Sequence, residues 1–227
     1  MEYSIIRSKR KTAAIHILPE GVVEVRAPLK MPKADIDRFV TAKEHWIREK
    51  LRLVKERSNS KAAFRLSYGD SILMKGRECP IASRPGNRVG FDGAQFYMPP
   101  GLNDTQIKDA CVKIYKLAAR QELTAKTMDY AFVMGVAPSG IKINSAKTRW
   151  GSCSAQRSIN YSWRLIMAED GVMDYVVVHE LAHIREMNHS PRFWAIVAGV
   201  LPDYKERRLR LKMLQKRLGA EEWEQRV

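Results

Sequence analysis

His179-Glu180-Leu181-Ala182-His183, with His189 six residues further on, is the stretch that decides how this sequence is read. Three of the chain's five histidines fall in these eleven positions. Residues four apart lie on one face of a helix, about one turn along, so His179 and His183 can reach one cation from the same side. Imidazole is the commonest metal-binding side chain. Glu180 shares a turn with His179 and is placed to touch a water on the metal rather than the metal itself. On a continuing helix His189 would point about 240° away from that face. The helix must therefore stop first. Asn188 is the expected left-handed residue after the helix, and Ser190-Pro191 reads as the N-cap and first-turn proline of the next one.

Three imidazoles and an open fourth position suit catalytic zinc, and a Glu directly after the first histidine suits a general base. A structural zinc takes four protein ligands. Cys153 is the one residue that could close the site in that way. The tetrahedral oxyanion of amide hydrolysis needs a donor besides the metal. Tyr161, Arg149 and Tyr204 are the candidates, with Tyr161 and Arg149 favoured because they lie on a hairpin expected near the site. Each could equally be structural. Asp174 and Asp203 are candidates to orient the histidines, or simply helix caps.

The chain has 227 residues, 45% of them hydrophobic, enough for one large domain or two small ones. Cys79, Cys111 and Cys153 are odd in number and far apart, with no C-x-x-C pair, which argues against a disulfide framework or a zinc ribbon and suits a reducing compartment. The first residues lack the apolar core of a signal peptide. No run approaches the roughly 20 apolar residues of a membrane span. The expectation is a soluble cytoplasmic protein with no membrane partner. The net charge of +15 leaves nucleic acid open as a partner beside a protein or peptide substrate, though the charges are spread along the chain. Oligomeric state has no signature in the sequence.

Along the chain, residues 3–7, 13–18 and 22–26 read as a small antiparallel meander. Apolar residues at three- and four-residue steps predict one helix from Lys33 to about Arg57, ended by Ser58-Asn59-Ser60. Short strands at 71–74, 78–81 and 95–98 follow. Pro99-Pro100-Gly101 is the expected boundary between an N-terminal β-rich part with one helix, residues 1–100, and a C-terminal part, residues 101–227. A long helix from about Asp104 to Val133, closed by Gly135, opens the second part. Residues 141–166 read as a hairpin, one strand of which is an exposed edge beside the histidine helix, able to take an extended peptide by β-addition. Asp170 is the expected N-cap of the histidine helix. Short helices from Pro191 to about Val197 and from Asp203 to Leu218 finish the chain.

Lys147-Thr148-Arg149-Trp150-Gly151-Ser152-Cys153, Trp163-Arg164-Leu165-Ile166, Asp174 through His183, Asn188-His189-Ser190, Phe193-Trp194 and Pro202-Asp203-Tyr204 together resemble the YgjP-like metallopeptidases, relatives of the SprT-like proteins and the minigluzincins. The likeness is strongest over residues 141–204. It implies a zincin-like α+β fold, with a small antiparallel sheet packed over the HExxH helix, and a zinc site of His179, His183 and His189 with Glu180 as general base. Glu186 stands where metzincins have glycine, and no Met-turn follows, so the chain departs from that group. The expected activity is zinc-dependent peptide hydrolysis. The alternatives are a nucleic-acid-associated SprT-like protein acting on DNA-bound proteins, or a metal-binding protein without peptidase activity. The cysteines for the extra zinc ribbon of DNA-acting relatives are missing.

Overall fold

A computed structural model describes residues 1–223, and the chain divides into two compact units: residues 1–64 with 219–222, and residues 65–218 with Trp223. The architecture is α+β, with three small sheets and six α-helices among the described residues. None of these helices is long and apolar enough to cross a membrane.

The first unit holds β1 (Ser4–Ser8), β2 (Ala14–Ile17), β3 (Val23–Pro28), α1 (Lys33–Ala42) and α2 (Glu44–Ala63). The three strands do not form the expected antiparallel meander. β3 sits in the centre, parallel to β1 and antiparallel to β2. It is the most buried of the three, and from the centre it lays Val23, Val25 and Ala27 onto Ile36, Val40 and Ile47 of the helices. Arg7, in β1, donates to the carbonyls of Pro28, Leu29 and Met31 and fixes the chain after β3. The single helix expected over 33–57 is two, broken at Lys43. Ser58, Asn59 and Ser60 do not end α2; they are exposed, and propensity alone costs too little to stop a packed helix.

The second unit opens with β4 (Ser71–Met74), β5 (Arg77–Ser83), β6 (Gly90–Phe91) and β7 (Phe96–Met98), in the order β4-β5-β7-β6. Pro99-Pro100-Gly101 falls inside this unit. The Lys75 and Gly76 N–H groups donate to the carbonyls of Ile166 and Met167, and the Tyr115 hydroxyl donates to that of Leu73. These bonds tie the small sheet to elements beyond the proline pair. α3 (Asp104–Met134) starts with a capping box of Asn103 and Gln106 and ends at Gly135 in the left-handed region, φ 59°. An aromatic stack of Tyr115 on Trp163, with Phe96 and Trp223 edge-on to Tyr115, fills the core beside it.

β8 (Gly140–Asn144), β9 (Gly151–Cys153) and β10 (Ser158–Ser162) form the third sheet. It is mixed rather than a simple hairpin. β10 is central, parallel to β8 and antiparallel to β9. Residues 145–150 are not strand but a loop, held where Ser162 Oγ donates to Ala146 O and Arg164 donates to Ser145 O. Trp163–Met167 is a 3-10 turn rather than the end of a strand. α4 (Asp170–Ala182), α5 (Pro191–Val200) and α6 (Tyr204–Leu218) complete the unit. The N-cap of α4 is Glu169, not Asp170, and it makes no side-chain cap bond. α6 is held against α4 by Arg207, which donates to Gly171 O at 3.0 Å and pairs with Asp174, and by Arg210 on Glu169 at 2.9 Å.

Candidate active site

α4 carries Val172, Met173, Tyr175, Val176, Val177, Val178, Leu181 and Ala182 buried all round it, so the helix is a core element rather than a surface one. That burial fixes His179 and Glu180 more firmly than a surface helix could. The helix ends at Ala182, six residues before Asn188, and His183 is its C-cap in right-handed geometry. Asn188 has no positive φ, so the expected left-handed stop there is absent. A run of turns over 183–188 brings the chain round instead, with Arg185 and Glu186 N–H both donating to Ala182 O. Ser190 then caps α5 by accepting from the Phe193 N–H, with Pro191 in the first turn, as the sequence predicts.

The three imidazoles meet at this corner. Their ring centroids are 5.0, 4.9 and 4.7 Å apart, and one nitrogen from each lies within 4.8 Å of the others. His179 Nε2 and His189 Nε2 are 3.1 Å apart. Two nitrogens at about 2.0–2.1 Å from one tetrahedral zinc lie about 3.3 Å apart, so the pair fits a shared ion. His183 Nδ1 faces the Glu186 carbonyl at 3.2 Å, which makes Nδ1 the protonated nitrogen and leaves Nε2 its lone pair. Burial, and then the two neighbouring imidazoles, push His179 down to about 3, so it stays neutral, as a ligand must. His189 is exposed, which leaves the cluster open on one side. Among the described residues no other group of three metal-ligating side chains occurs.

Phe193, fully buried, packs under all three rings, its centroid 4.9 Å from His179, 4.6 Å from His183 and 4.7 Å from His189. Trp194 stacks on His189 and on Tyr204. The spacing of α5 shows Phe193 turned inward, but nothing in the sequence says that it touches every imidazole. Phe193→Leu, which keeps most of the volume, is expected to weaken divalent-metal binding at the three histidines about 10- to 100-fold, as loss of support behind a ligand does. Competition with a chelator measures this; unchanged affinity would show that the ring only fills space.

Glu180 is buried against β9. Burial alone pushes its carboxyl up to about 8. A Cβ built on Gly151 would lie 2.6 Å from Glu180 Oε1 and 2.7–2.8 Å from its Cγ and Cδ. So the carboxylate occupies the space where any other residue would have a side chain. The Ser162 N–H donates to Trp150 O at 2.9 Å and holds the strand in that place.

The other candidates differ in their surroundings. Tyr161 is a core residue with no exposed surface. Its hydroxyl donates to Thr127 Oγ1 at 3.0 Å, because the threonine's own proton goes to Leu123 O, and burial drives its pKa far up. Arg149 is exposed in the loop before β9. Cys153 is outside the histidine cluster; burial and the nearby Glu180 carboxyl raise its pKa, and its thiol donates to Ser154 O. Asp174 pairs with Lys126 at 2.8 Å and with Arg207, and Asp203 pairs with Arg207, so both brace helices rather than imidazoles.

The buried pair makes the metal-free protein pH-sensitive in a definite way. His179 drops from 6.5 to about 3 on folding, so it adds stability above 6.5 that is lost as pH falls toward 3. Glu180 rises from 4.5 to about 8, so its contribution is full below 4.5 and is lost as pH climbs toward 8. Between 4.5 and 6.5 the two cancel. Urea denaturation of chelator-treated protein should therefore show stability falling above pH 6.5 by about 2 kcal/mol up to pH 8. Glu180→Gln should flatten that limb. Equal slopes in the two proteins would contradict it.

A family model described as "YgjP-like, metallopeptidase domain" matches residues 11–214. The chain belongs to the YgjP-like family. The match takes in the histidine cluster, Glu180 and β9, and a metallopeptidase domain implies a divalent metal, for which the three histidines are the available ligands. Two solved structures are more distantly similar. The metallopeptidase zymogen of Pyrococcus abyssi abylysin is 24% identical over 40% of this chain and 92% of its own, with a TM-score of 0.38. That of Methanocaldococcus jannaschii jannalysin is 19% identical over 41% of this chain and 95% of its own, with a TM-score of 0.36. Among curated proteins none matches the chain.

Proposed function

We propose that this YgjP-like domain is a zinc-dependent peptidase, with zinc held by His179, His183 and His189 and Glu180 as general base. The observation that carries the reading is the convergence of three imidazole nitrogens within 4.8 Å at an open corner, beside a buried carboxylate that the next strand is shaped to admit. Zinc bound there supplies a Lewis acid that activates water and polarises the scissile carbonyl. Glu180, held on α4, takes the proton released as the amide carbon is attacked and returns it to the departing amine. The nonpolar surround raises its proton affinity in the metal-free protein. The free edge of β9 accepts an extended chain by strand addition and sets the peptide over α4. With Tyr161 turned into the core, the oxyanion donors that remain beside the metal are Arg149 and Tyr204.

X-ray absorption at the zinc edge tests the ligand set. Nitrogen or oxygen neighbours at about 2.0–2.1 Å and no sulfur support an open three-histidine centre. A sulfur at about 2.3 Å would bring in Cys153 and make the site structural.

A further inference from the structure

At the edge of the histidine cluster the second unit has a half-open pocket of about 200 Å³. Its floor is one face of α4, with Tyr175, Val176, His179 and Glu180. Trp150 and Gly151 form a second wall, and Leu211 of α6 forms a third. The Trp150 indole N–H donates to Gln215 Oε1 at 3.1 Å, so α6 fixes the tilt of the indole. The polar groups sit together at the end where His179 and Glu180 lie. The rest is aromatic and aliphatic, and Arg208 is close enough to act electrostatically on Tyr175 and His179.

We propose that this pocket receives a bulky apolar side chain, aliphatic or aromatic, next to the peptide bond that is cut. The inference rests on the peptidase reading above. Four features commit it to this occupant. An apolar cavity of about 150 Å³ holds benzene, so this one admits a phenyl or isobutyl group. An acidic side chain would give up its hydration on entering a mostly apolar pocket that already holds one carboxyl group. A basic one would pair with Glu180 and take the base out of the reaction. Finally, a peptide paired on the edge of β9 turns alternate side chains toward α4. Trp150 and Leu211 are thus the residues that set specificity.

The test uses the full chain loaded with one zinc and a series of peptide hydroxamates that differ in one side chain: Gly, Asp, Leu, Phe or naphthylalanine. Calorimetry reads their affinities. The Leu and Phe compounds should bind about tenfold or more tighter than the Gly compound, as burial of that much apolar surface implies, with Asp the weakest. Leu211→Trp, which fills the pocket, should bring the Phe-to-Gly ratio close to one. Leu211→Ala, which enlarges it, should move the preference from Leu toward a naphthyl side chain and covers the case in which the larger residue misfolds. Gly or Asp compounds that bind as tightly as Phe, or an apolar preference untouched by both substitutions, would overturn the pocket and leave the metal centre standing. Failure of the whole series to bind would overturn the metal centre and the pocket together.

Discussion

Glu180→Gln is expected to lower kcat for hydrolysis of unfolded protein by about 10²- to 10⁴-fold while zinc stays bound at one per chain. The amide is nearly the same shape as the carboxyl, so it fits the space beside Gly151 without new contacts. It carries no charge, so it suits the buried surroundings better than the carboxylate does. Fold and metal site are therefore preserved, and the loss reports proton transfer alone. Steady-state kinetics with parallel metal analysis provides the measurement. A variant with undiminished zinc-dependent activity would sink the general-base assignment.

Gly151→Ala should cost nearly as much, from a residue with no chemistry of its own. The added Cβ would sit 2.6 Å from Glu180 Oε1, against about 3.5 Å for an unstrained contact. β10 pairs with β9 on its other side and holds the strand in register, Gly151 opposite Tyr161. The carboxylate has to swing away, and a displacement of about 1 Å from the reacting atoms costs about 10² in rate. The expected pattern is a kcat lower by about that factor, KM little changed and zinc retained. In a Glu180→Gln background the same change should add far less, because the group it displaces is already silent. Fully additive losses would mean that Gly151 acts through folding instead.

The chemistry-bearing residues were legible because their spacing is local. His179, Glu180 and His183 need only a helix to come together, and Ser190-Pro191 marks the corner that returns His189. What failed depended on partners distant in sequence. Asn188 looked like a helix stop, but α4 had already ended at Ala182, inside the metal motif itself. Strand patterns at 141–166 were visible, yet nothing local says that β8 runs parallel to β10 while the loop 145–150 peels away. Tyr161 alternates properly along its strand, and alternation places it on a face without saying whether that face meets the cleft or the core. Gly151 carried a usable signal, since a lone glycine in a strand marks close approach of another group. Phe193 under the imidazoles and Leu211 in the wall of the pocket had none, because those placements exist only once α5 and α6 fold back on α4.

The central claim is that one zinc on three histidines makes this domain a peptidase. Stepwise addition of zinc to chelator-treated protein, with hydrolysis of an unfolded protein followed at each step, tests it most directly. The account predicts no cleavage without metal, a linear rise, and a break at one zinc per chain. Cleavage that is independent of metal, or none at one bound equivalent, would contradict it.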